Sequence, residues 1–134
     1  MASEPRLGCG AAIVEDGKLL LIQRAGDPES GHWGFPGGKV DAFEPVQHAV
    51  IREVREELGI ELSAVELLCA VDQIDRDAAE HWVALVYLAQ RFMGVPTLVE
   101  PEKHLAWGWF PLDQLPEPLT TATRVALPSL REVA

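Results

Sequence analysis

The segment from Gly38 to Ile60, GKVDAFEPVQHAVIREVREELGI, constrains the fold of this chain more than any other. Three of its glutamates, Glu53, Glu56 and Glu57, are spaced i, i+3, i+4, which places their carboxylates on one face of a helix. Like charges at this spacing destabilise a helix by roughly a few tenths of a kcal/mol, unless a cation lies among them. Glutamate oxygens suit Mg²⁺ or Mn²⁺. From these residues alone, a solvated acidic face is the alternative.

The residues around this helix predict how it packs. Gly37 and Gly38 lie upstream, where a chain without Cβ atoms can approach a ligand closely. Pro45 is expected in the first helical turn and Gly59 just after the helix ends. Beside the acidic face runs an apolar stripe, which predicts a helix packed on a sheet with its carboxylates at the edge of a cleft. The stripe comprises Val46, Val50, Val54 and Leu58.

This segment resembles the signature of the Nudix hydrolases: a glycine, five residues, a glutamate, seven residues and REUxEExGU, with U aliphatic. The match covers 23 of 134 residues. It implies an α/β fold of the α+β type, a Nudix-like α/β/α sandwich with a mixed sheet between helices. The order of strands and helices along the chain predicts the same layers. The signature positions are Gly38, Glu44, Arg52, Glu53, Val54, Glu56, Glu57, Gly59 and Ile60.

The resemblance also implies roles for residues of the segment. Glu53, Glu56 and Glu57 would bind Mg²⁺ or Mn²⁺ together with the Gly37 carbonyl. Glu44 would support the geometry between loop and helix, as would Gly38 and Gly59. We expect Arg52, four residues before Glu56, to form an ion pair that orients that carboxylate within the catalytic group.

A second motif, Glu100-Pro101-Glu102-Lys103-His104 before Trp107 and Trp109, is similar to a loop of MutT-like nucleoside triphosphate pyrophosphohydrolases. Relatives carry one more metal-binding or catalytic glutamate on this loop. Glu102 is the first choice and Glu100 the second, while a solvated loop is the alternative. The general base is either Glu53 or the loop glutamate.

Three further residues are candidates for substrate binding. Arg24 ends an apolar strand, where MutT-like relatives can place an arginine against substrate phosphate. Lys39 follows the paired glycines and could contact a phosphate or lie exposed. Trp82 lies in an apolar strand and could contact a base or belong to the core.

The remaining elements are predicted from periodicity and turn signals. Asp16-Gly17 predicts a tight hairpin between strands at 7–14 and 19–24. The strand at 81–88 is expected to pair antiparallel with the strand before it, because the connection is too short for a crossover helix. The C-terminal segment at 120–133 has helical periodicity, and Pro128 is expected to kink or divide that helix.

Length and composition limit the class of protein. A chain of 134 residues with 48% hydrophobic content predicts a single domain over 1–134, with 1–5 as a flexible tail. No apolar run approaches the ~20 residues of a membrane span, and the N-terminus does not resemble a signal peptide. Cys9 and Cys69 are expected to be reduced thiols, which favours a cytoplasmic location. The net charge of −10 argues against nucleic-acid binding.

The resemblance implies metal-dependent hydrolysis of compounds in which a nucleoside diphosphate is linked to another group. Nucleoside triphosphates, cleaved to monophosphate and pyrophosphate, are favoured here. ADP-ribose and dinucleoside polyphosphates are the alternative substrates, and a non-catalytic nucleotide-sensing module is the alternative of another class. The expected partner is a nucleotide, with no membrane or nucleic acid, and the chain is expected to be a monomer or homodimer.

Overall fold

The structure is a computed structural model that describes residues 4–134, so positions 1–3 of the expected flexible tail lie outside the described residues. Two helices and nine strands follow one another within these described residues. None of the helices in this described part is long and apolar enough to cross a membrane. In order, the elements are β1 (Arg6–Glu15), β2 (Lys18–Arg24), β3 (Trp33–Gly34), β4 (Gly37–Lys39), α1 (Val46–Leu58), β5 (Glu61–Leu62), β6 (Glu66–Asp75), β7 (Glu80–Ala89), β8 (Phe92–Met93), β9 (His104–Pro111) and α2 (Thr121–Val133).

Strand β1 organises a mixed seven-stranded sheet. It runs parallel to β7 on one side, and on the other side it pairs antiparallel with β4 and then with β2. Strand β6 continues the sheet beyond β7, in the predicted antiparallel pairing, while β3 and β9 pair with β2. The predicted hairpin is present: Asp16 and Gly17 have φ of 52° and 74°, the left-handed values that a two-residue turn requires.

The alternating side chains of β1 enter two separate cores. Ala11 and Ile13 pack with the buried face of α1, whereas Ala12 and Val14 pack with the buried face of α2. Period-two alternation therefore divides one strand between two hydrophobic layers. The predicted α/β/α sandwich, with one helix on each face of a mixed sheet, is confirmed.

The signature helix α1 has the predicted apolar stripe but begins one residue later than expected. Pro45 is the N-cap, with an extended ψ of 139°, rather than a residue of the first turn. Gly59 ends the helix in the left-handed conformation with φ of 69°, and its N–H donates to the Arg55 carbonyl at 2.9 Å. The glycine expected after the helix therefore has the conformation that its position requires.

Helix α2 is a single helix across Pro128, so the expected division into two pieces does not occur. Proline removes one helical hydrogen bond, but residues on both sides of it are buried on the same face of the sheet. Tertiary packing therefore keeps the two halves in one element. The buried residues of α2 are Thr123, Ala126, Leu127 and Leu130.

We expect Gly59→Ala to destabilise the protein by about 1 kcal/mol, because an L-residue with a Cβ is strained in the left-handed region. A Cβ there would meet only ordinary contacts at 3.5 Å, so the cost is conformational. Gly59→Asn should cost less, since asparagine tolerates this conformation better. Urea denaturation of the three proteins measures the difference, and equal losses in the two variants would contradict this explanation.

Candidate active site

The three glutamates of α1 form a gradient of exposure along one edge of the helix. The Glu56 side chain is 49% exposed, Glu53 is 18% exposed and Glu57 is 8% exposed. Since the apolar stripe faces the sheet, the carboxylate nearest that stripe is drawn furthest into the protein. Glu57 is therefore more deeply buried than a residue of an open acidic surface.

Buried Glu57 has a hydrogen-bond donor on each carboxylate oxygen. The Gly37 N–H donates to Oε1 at 2.7 Å, and His104 Nε2 lies 3.1 Å from Oε2. Burial raises the pKa of Glu57, and the histidine hydrogen bond opposes that rise. These contacts join α1 to β4 and β9 through a single carboxylate.

The segment around Gly37 and Gly38, here called the glycine loop although both residues belong to β4, approaches α1 closely because these residues have no side chains. A Cβ on Gly37 would collide with the Cys9 carbonyl oxygen, and a Cβ on Gly38 would collide with the Glu53 carboxylate. Gly38 thus leaves room for Glu53 against the backbone. Burial raises the pKa of Glu53, while its hydrogen bond with Arg52 acts in the opposite direction.

Arg52 uses all five of its N–H groups, four on glutamate carboxylates and one on a backbone carbonyl. Nε and Nη2 hold Glu44 in a bidentate pair at 2.7 and 3.0 Å. Nη1 donates to Glu53 at 2.8 Å and to Glu56 at 3.2 Å, so the predicted pair with Glu56 is present. The second hydrogen of Nη2 reaches the Lys39 carbonyl at 3.1 Å. With every donor used, Arg52 orients carboxylates instead of offering a hydrogen to a ligand.

Glu44 joins the loop before α1 to the helix. Besides the two contacts with Arg52, its Oε1 accepts the Asp41 N–H at 3.1 Å. The Arg52 hydrogen bonds, followed by that of Asp41, lower the pKa of Glu44 to about 2. Phe43, next to it, has φ of 64° and a fully exposed ring. The loop therefore holds a bulky residue in the left-handed conformation that glycine adopts without strain.

The loop before β9 places Glu100, and not Glu102, beside the buried carboxylate. Ligand atoms of Glu57, Glu100 and His104 lie within 4.8 Å of one another, the one such group in residues 4–134. A turn closes on the Glu100 carbonyl, which accepts the Lys103 N–H at 2.9 Å. Glu102, which the sequence analysis placed first, also lines the cleft but is exposed.

These groups line one cleft of about 390 Å³, in which carboxylates outnumber cationic groups. A larger cavity of about 640 Å³ lies elsewhere, against α2, and the ligand group is not part of it. An anionic substrate would meet strong repulsion in the acidic cleft without a bound cation. The lining residues are Arg24, Gly26, Asp27, Gly37, Gly38, Glu53, Glu56, Glu57, Glu100, Glu102, Lys103 and His104.

The three predicted substrate-binding residues lie in different places. Arg24 lines the cleft, and its Nε donates to the Pro28 carbonyl at 2.8 Å. Lys39 and Trp82 are not among the lining residues. Trp82 lies against the Arg6 guanidinium, 5.7 Å from the ring centroid, and near Gly8. Gly8 pairs with Lys39, so both residues are close to the glycine loop although outside the cleft.

Lys103 and His104 also line the cleft, although the sequence patterns did not predict them as site residues. Lys103 pairs with Glu100 at 3.2 Å, and that hydrogen bond raises the pKa of Lys103. His104 is the first residue of β9 and is buried against Glu57. The histidine that ends the acidic loop motif was the signal available, but its partner, Glu57, lies on α1, distant in the sequence.

Residues 4–130 match the NUDIX domain family, and the chain belongs to that family. The chain is similar in structure to a MutT NUDIX hydrolase from Burkholderia pseudomallei, with a TM-score of 0.93 and 61% identity, covering 95% of this chain and 98% of that one. Members of the family use divalent metal ions.

Two curated relatives match over shorter segments. An ADP-ribose pyrophosphatase from Methanocaldococcus jannaschii is 36% identical over 84 residues, 63% of this chain and 50% of the relative. A CTP pyrophosphohydrolase from Escherichia coli is 50% identical over 62 residues, 45% of this chain and 46% of the relative. The matches thus span about half the length of these curated relatives.

The residues of the cleft fit a divalent cation. The carboxylates of Glu57 and Glu100 supply oxygen ligands of the kind that Mg²⁺ and Mn²⁺ accept, and a ring nitrogen of His104 lies within 4.8 Å of these oxygens. The exposed Glu56 and half-buried Glu53 lie nearby on the same helix edge, where Arg52 holds them.

We expect Glu44→Gln to lower stability near neutral pH, by an amount that disappears in acid. The folded pKa of about 2 lies below the ordinary value of 4.5, so ionised Glu44 stabilises the fold fully above pH 4.5. That contribution is lost as the pH falls from 4.5 to about 2. Urea midpoints between pH 2 and 7 for both proteins measure it.

The control for this prediction is Glu61→Gln, which removes an exposed ion pair with Arg55 of 2.8 Å. An exposed pair contributes little, so this variant should match the wild type at neutral pH. A gap between Glu44→Gln and wild type that stays constant down to pH 2 would contradict the ion-pair explanation.

Proposed function

We propose that this protein is a metal-dependent pyrophosphohydrolase that cleaves nucleoside triphosphates to nucleoside monophosphate and pyrophosphate. The observation that carries the proposal is the cleft in which Glu57, Glu100 and His104 converge below a side-chain-free glycine loop. The chain's relatives are described as pyrophosphohydrolases and pyrophosphatases, which supports the same reaction type.

Mg²⁺, with Mn²⁺ as the alternative, is the cation of this proposal. Glu57 and Glu100 would hold it, with Glu53 and Glu56 at the helix edge, Gly37 in the loop and Glu102 at the rim. When bound, such a cation neutralises phosphate oxygens and lowers the pKa of an attacking water.

Glu53 is our choice for the general base. Arg52 Nη1 donates a hydrogen bond to Oε1 of Glu53 at 2.8 Å, and the Glu53 carboxylate lies against Gly38 at the wall of the cleft. Burial raises the pKa of Glu53, which makes it a stronger proton acceptor than an exposed glutamate. It would take a proton from water as the water oxygen bonds to phosphorus. The bond between that phosphorus and the bridging oxygen then breaks, and pyrophosphate leaves.

The remaining residues would bind the substrate. Arg24 enters the same cleft as the carboxylates and supplies positive charge for a phosphate. Gly8 lies between Trp82 and the Gly38 carbonyl. A Cβ on Gly8 would be 3.7 Å from the Trp82 ring and 3.5 Å from the Gly38 carbonyl oxygen. A nucleoside extending from the glycine loop over Gly8 would reach Trp82, and Lys39 lies beside this path as the strand partner of Gly8.

The biological setting is also part of the proposal. We place the protein in the cytoplasm, where free thiols such as Cys9 and Cys69 are usual. Its partner would be a nucleotide and not a nucleic acid, which the net charge of −10 would repel. The chain would act as a monomer or a homodimer.

A hydrolysis panel tests the substrate class. Purified protein with Mg²⁺, or with Mn²⁺, is offered standard, oxidised and methylated nucleoside triphosphates, ADP-ribose and diadenosine polyphosphates, and the products are identified. We expect pyrophosphate from a triphosphate, abolished by a chelator. Cleavage of ADP-ribose alone would show that the substrates are not nucleoside triphosphates, and it would agree with the description of one relative as an ADP-ribose pyrophosphatase. Tight nucleotide binding without turnover would favour a sensing module.

We expect Glu57→Gln to reduce kcat on the order of 100-fold, because it removes the charge of the buried carboxylate at the centre of the ligand group. Glu66→Gln, at an exposed position on β6, is the matched control and should retain wild-type turnover. Steady-state kinetics at saturating metal measures both variants, and circular dichroism checks that they fold. Wild-type turnover in Glu57→Gln would eliminate this metal site.

The two loop glutamates should differ in importance. Glu100 belongs to the group around Glu57, whereas Glu102 lies exposed at the rim. We therefore expect Glu100→Gln to lower kcat/KM by roughly tenfold or more and Glu102→Gln to have a much smaller effect. Kinetics over a range of metal concentrations compares them, and the opposite order would restore the assignment made from sequence.

A further inference from the structure

His104 and Glu57 form a buried pair between two elements that are distant in sequence. With backbone atoms included, His104 is 7% exposed and Glu57 is 6% exposed. His104 Nε2 lies 3.1 Å from Glu57 Oε2. A buried carboxylate needs hydrogen-bond donors in place of water, and His104 supplies one of the two that Glu57 receives. This contact therefore fixes the direction in which the Glu57 oxygens point.

The two ring nitrogens of His104 have different surroundings. An ionised carboxylate only accepts hydrogen bonds, so Nε2 carries the hydrogen that faces Glu57. Nδ1 is buried and has no hydrogen-bond partner within residues 4–134. Of its two polar atoms, only Nε2 is used, and it is directed at the carboxylate. A histidine retained merely for packing has no need of this arrangement.

The backbone of His104 connects the same contact to the loop glutamate. Its N–H reaches the Glu100 carbonyl at 3.3 Å, beside the 2.9 Å bond from Lys103. The residue also pairs with Arg24 at an irregularity where the register between β2 and β9 shifts. One residue thus holds Glu57 through its side chain and the turn at Glu100 through its main chain.

We propose that His104 is a positioning residue that holds Glu57 and Glu100 at the spacing required by a divalent cation, by donating its Nε2 hydrogen to Glu57. This inference rests on the metal site of the proposed function. It adds that the affinity for the cation depends on a histidine outside the signature segment. Partners that orient metal ligands in this way affect metal affinity by about 10- to 100-fold.

Direct measurement of Mn²⁺ binding tests the proposal. The electron paramagnetic resonance signal of free aqueous Mn²⁺ is followed as protein is added, for wild type, His104→Leu and His104→Gln. Leucine removes the donor and should weaken binding about tenfold or more. Glutamine places an amide N–H near the position of Nε2 and should restore most of the affinity.

The control is His81→Leu, because His81 also pairs with a carboxylate, Asp72 at 2.9 Å, but on strands outside the cleft. It should leave Mn²⁺ binding unchanged. Thermal unfolding without metal checks the fold of each variant. If His104→Leu does not fold, His104→Asn replaces it, since its shorter side chain stops short of Glu57 and should weaken binding likewise.

Two outcomes would overturn the proposal: unchanged Mn²⁺ affinity in the variant without a donor, or equal loss in that variant and His104→Gln. Neither depends on turnover. If no substrate of the panel is hydrolysed while wild type, His104→Gln and His104→Leu rank in Mn²⁺ affinity as expected, the proposed function fails and the role of His104 stands. If substrate is hydrolysed but these proteins bind Mn²⁺ equally, the proposed function stands and the role of His104 fails.

Discussion

The ion pairs of the Arg52 guanidinium hold together the acidic edge of this protein, which consists of Glu44, Glu53 and Glu56. Three glutamates and an aspartate lie around the guanidinium, and its five N–H groups connect the loop before α1, the helix itself and the Lys39 carbonyl. Without this cation, Glu44, Glu53 and Glu56 would repel one another at short range. The loop and the helix face are consequently one electrostatic unit, and the carboxylate left outside it, Glu57, is held by a different set of partners.

The four signature glutamates, Glu44, Glu53, Glu56 and Glu57, therefore have different partners. Both oxygens of Glu44 accept hydrogen bonds, from Arg52 and from the Asp41 N–H. Glu53 and Glu56 share Arg52 while still reaching the cleft. Glu57 is buried between Gly37 and His104, and burial raises its pKa. Four glutamates of one segment thus differ in charge environment, because the loop before α1 and the turns of the helix direct each one toward a different neighbour.

Short-range patterns predicted most of the fold and the glutamates of α1 that line the cleft. The helix, its glycine end, the hairpin and the alternating strands follow from periodicity and turn chemistry within windows of a few residues. The position of Glu100 beside Glu57 could not be predicted, because it depends on a turn that closes on the Glu100 carbonyl. His104 was missed because its partner is brought close only by the sheet, and the helix across Pro128 persists because burial outweighs one lost hydrogen bond.

The sharing of β1 between two cores has a consequence for how such a protein can change over evolutionary time. Residues directed toward α1 are tied to the catalytic edge, whereas those directed toward α2 belong to the layer on the opposite face. None of the buried residues of that second layer lines the acidic cleft. Substitutions there would reach the cleft only through shared neighbours, such as Phe35, whose N–H donates to the Thr123 hydroxyl at 3.1 Å just before the glycine pair. The pleat of one strand therefore gives the two layers different scope for divergence, and Thr123 is a point at which they remain coupled.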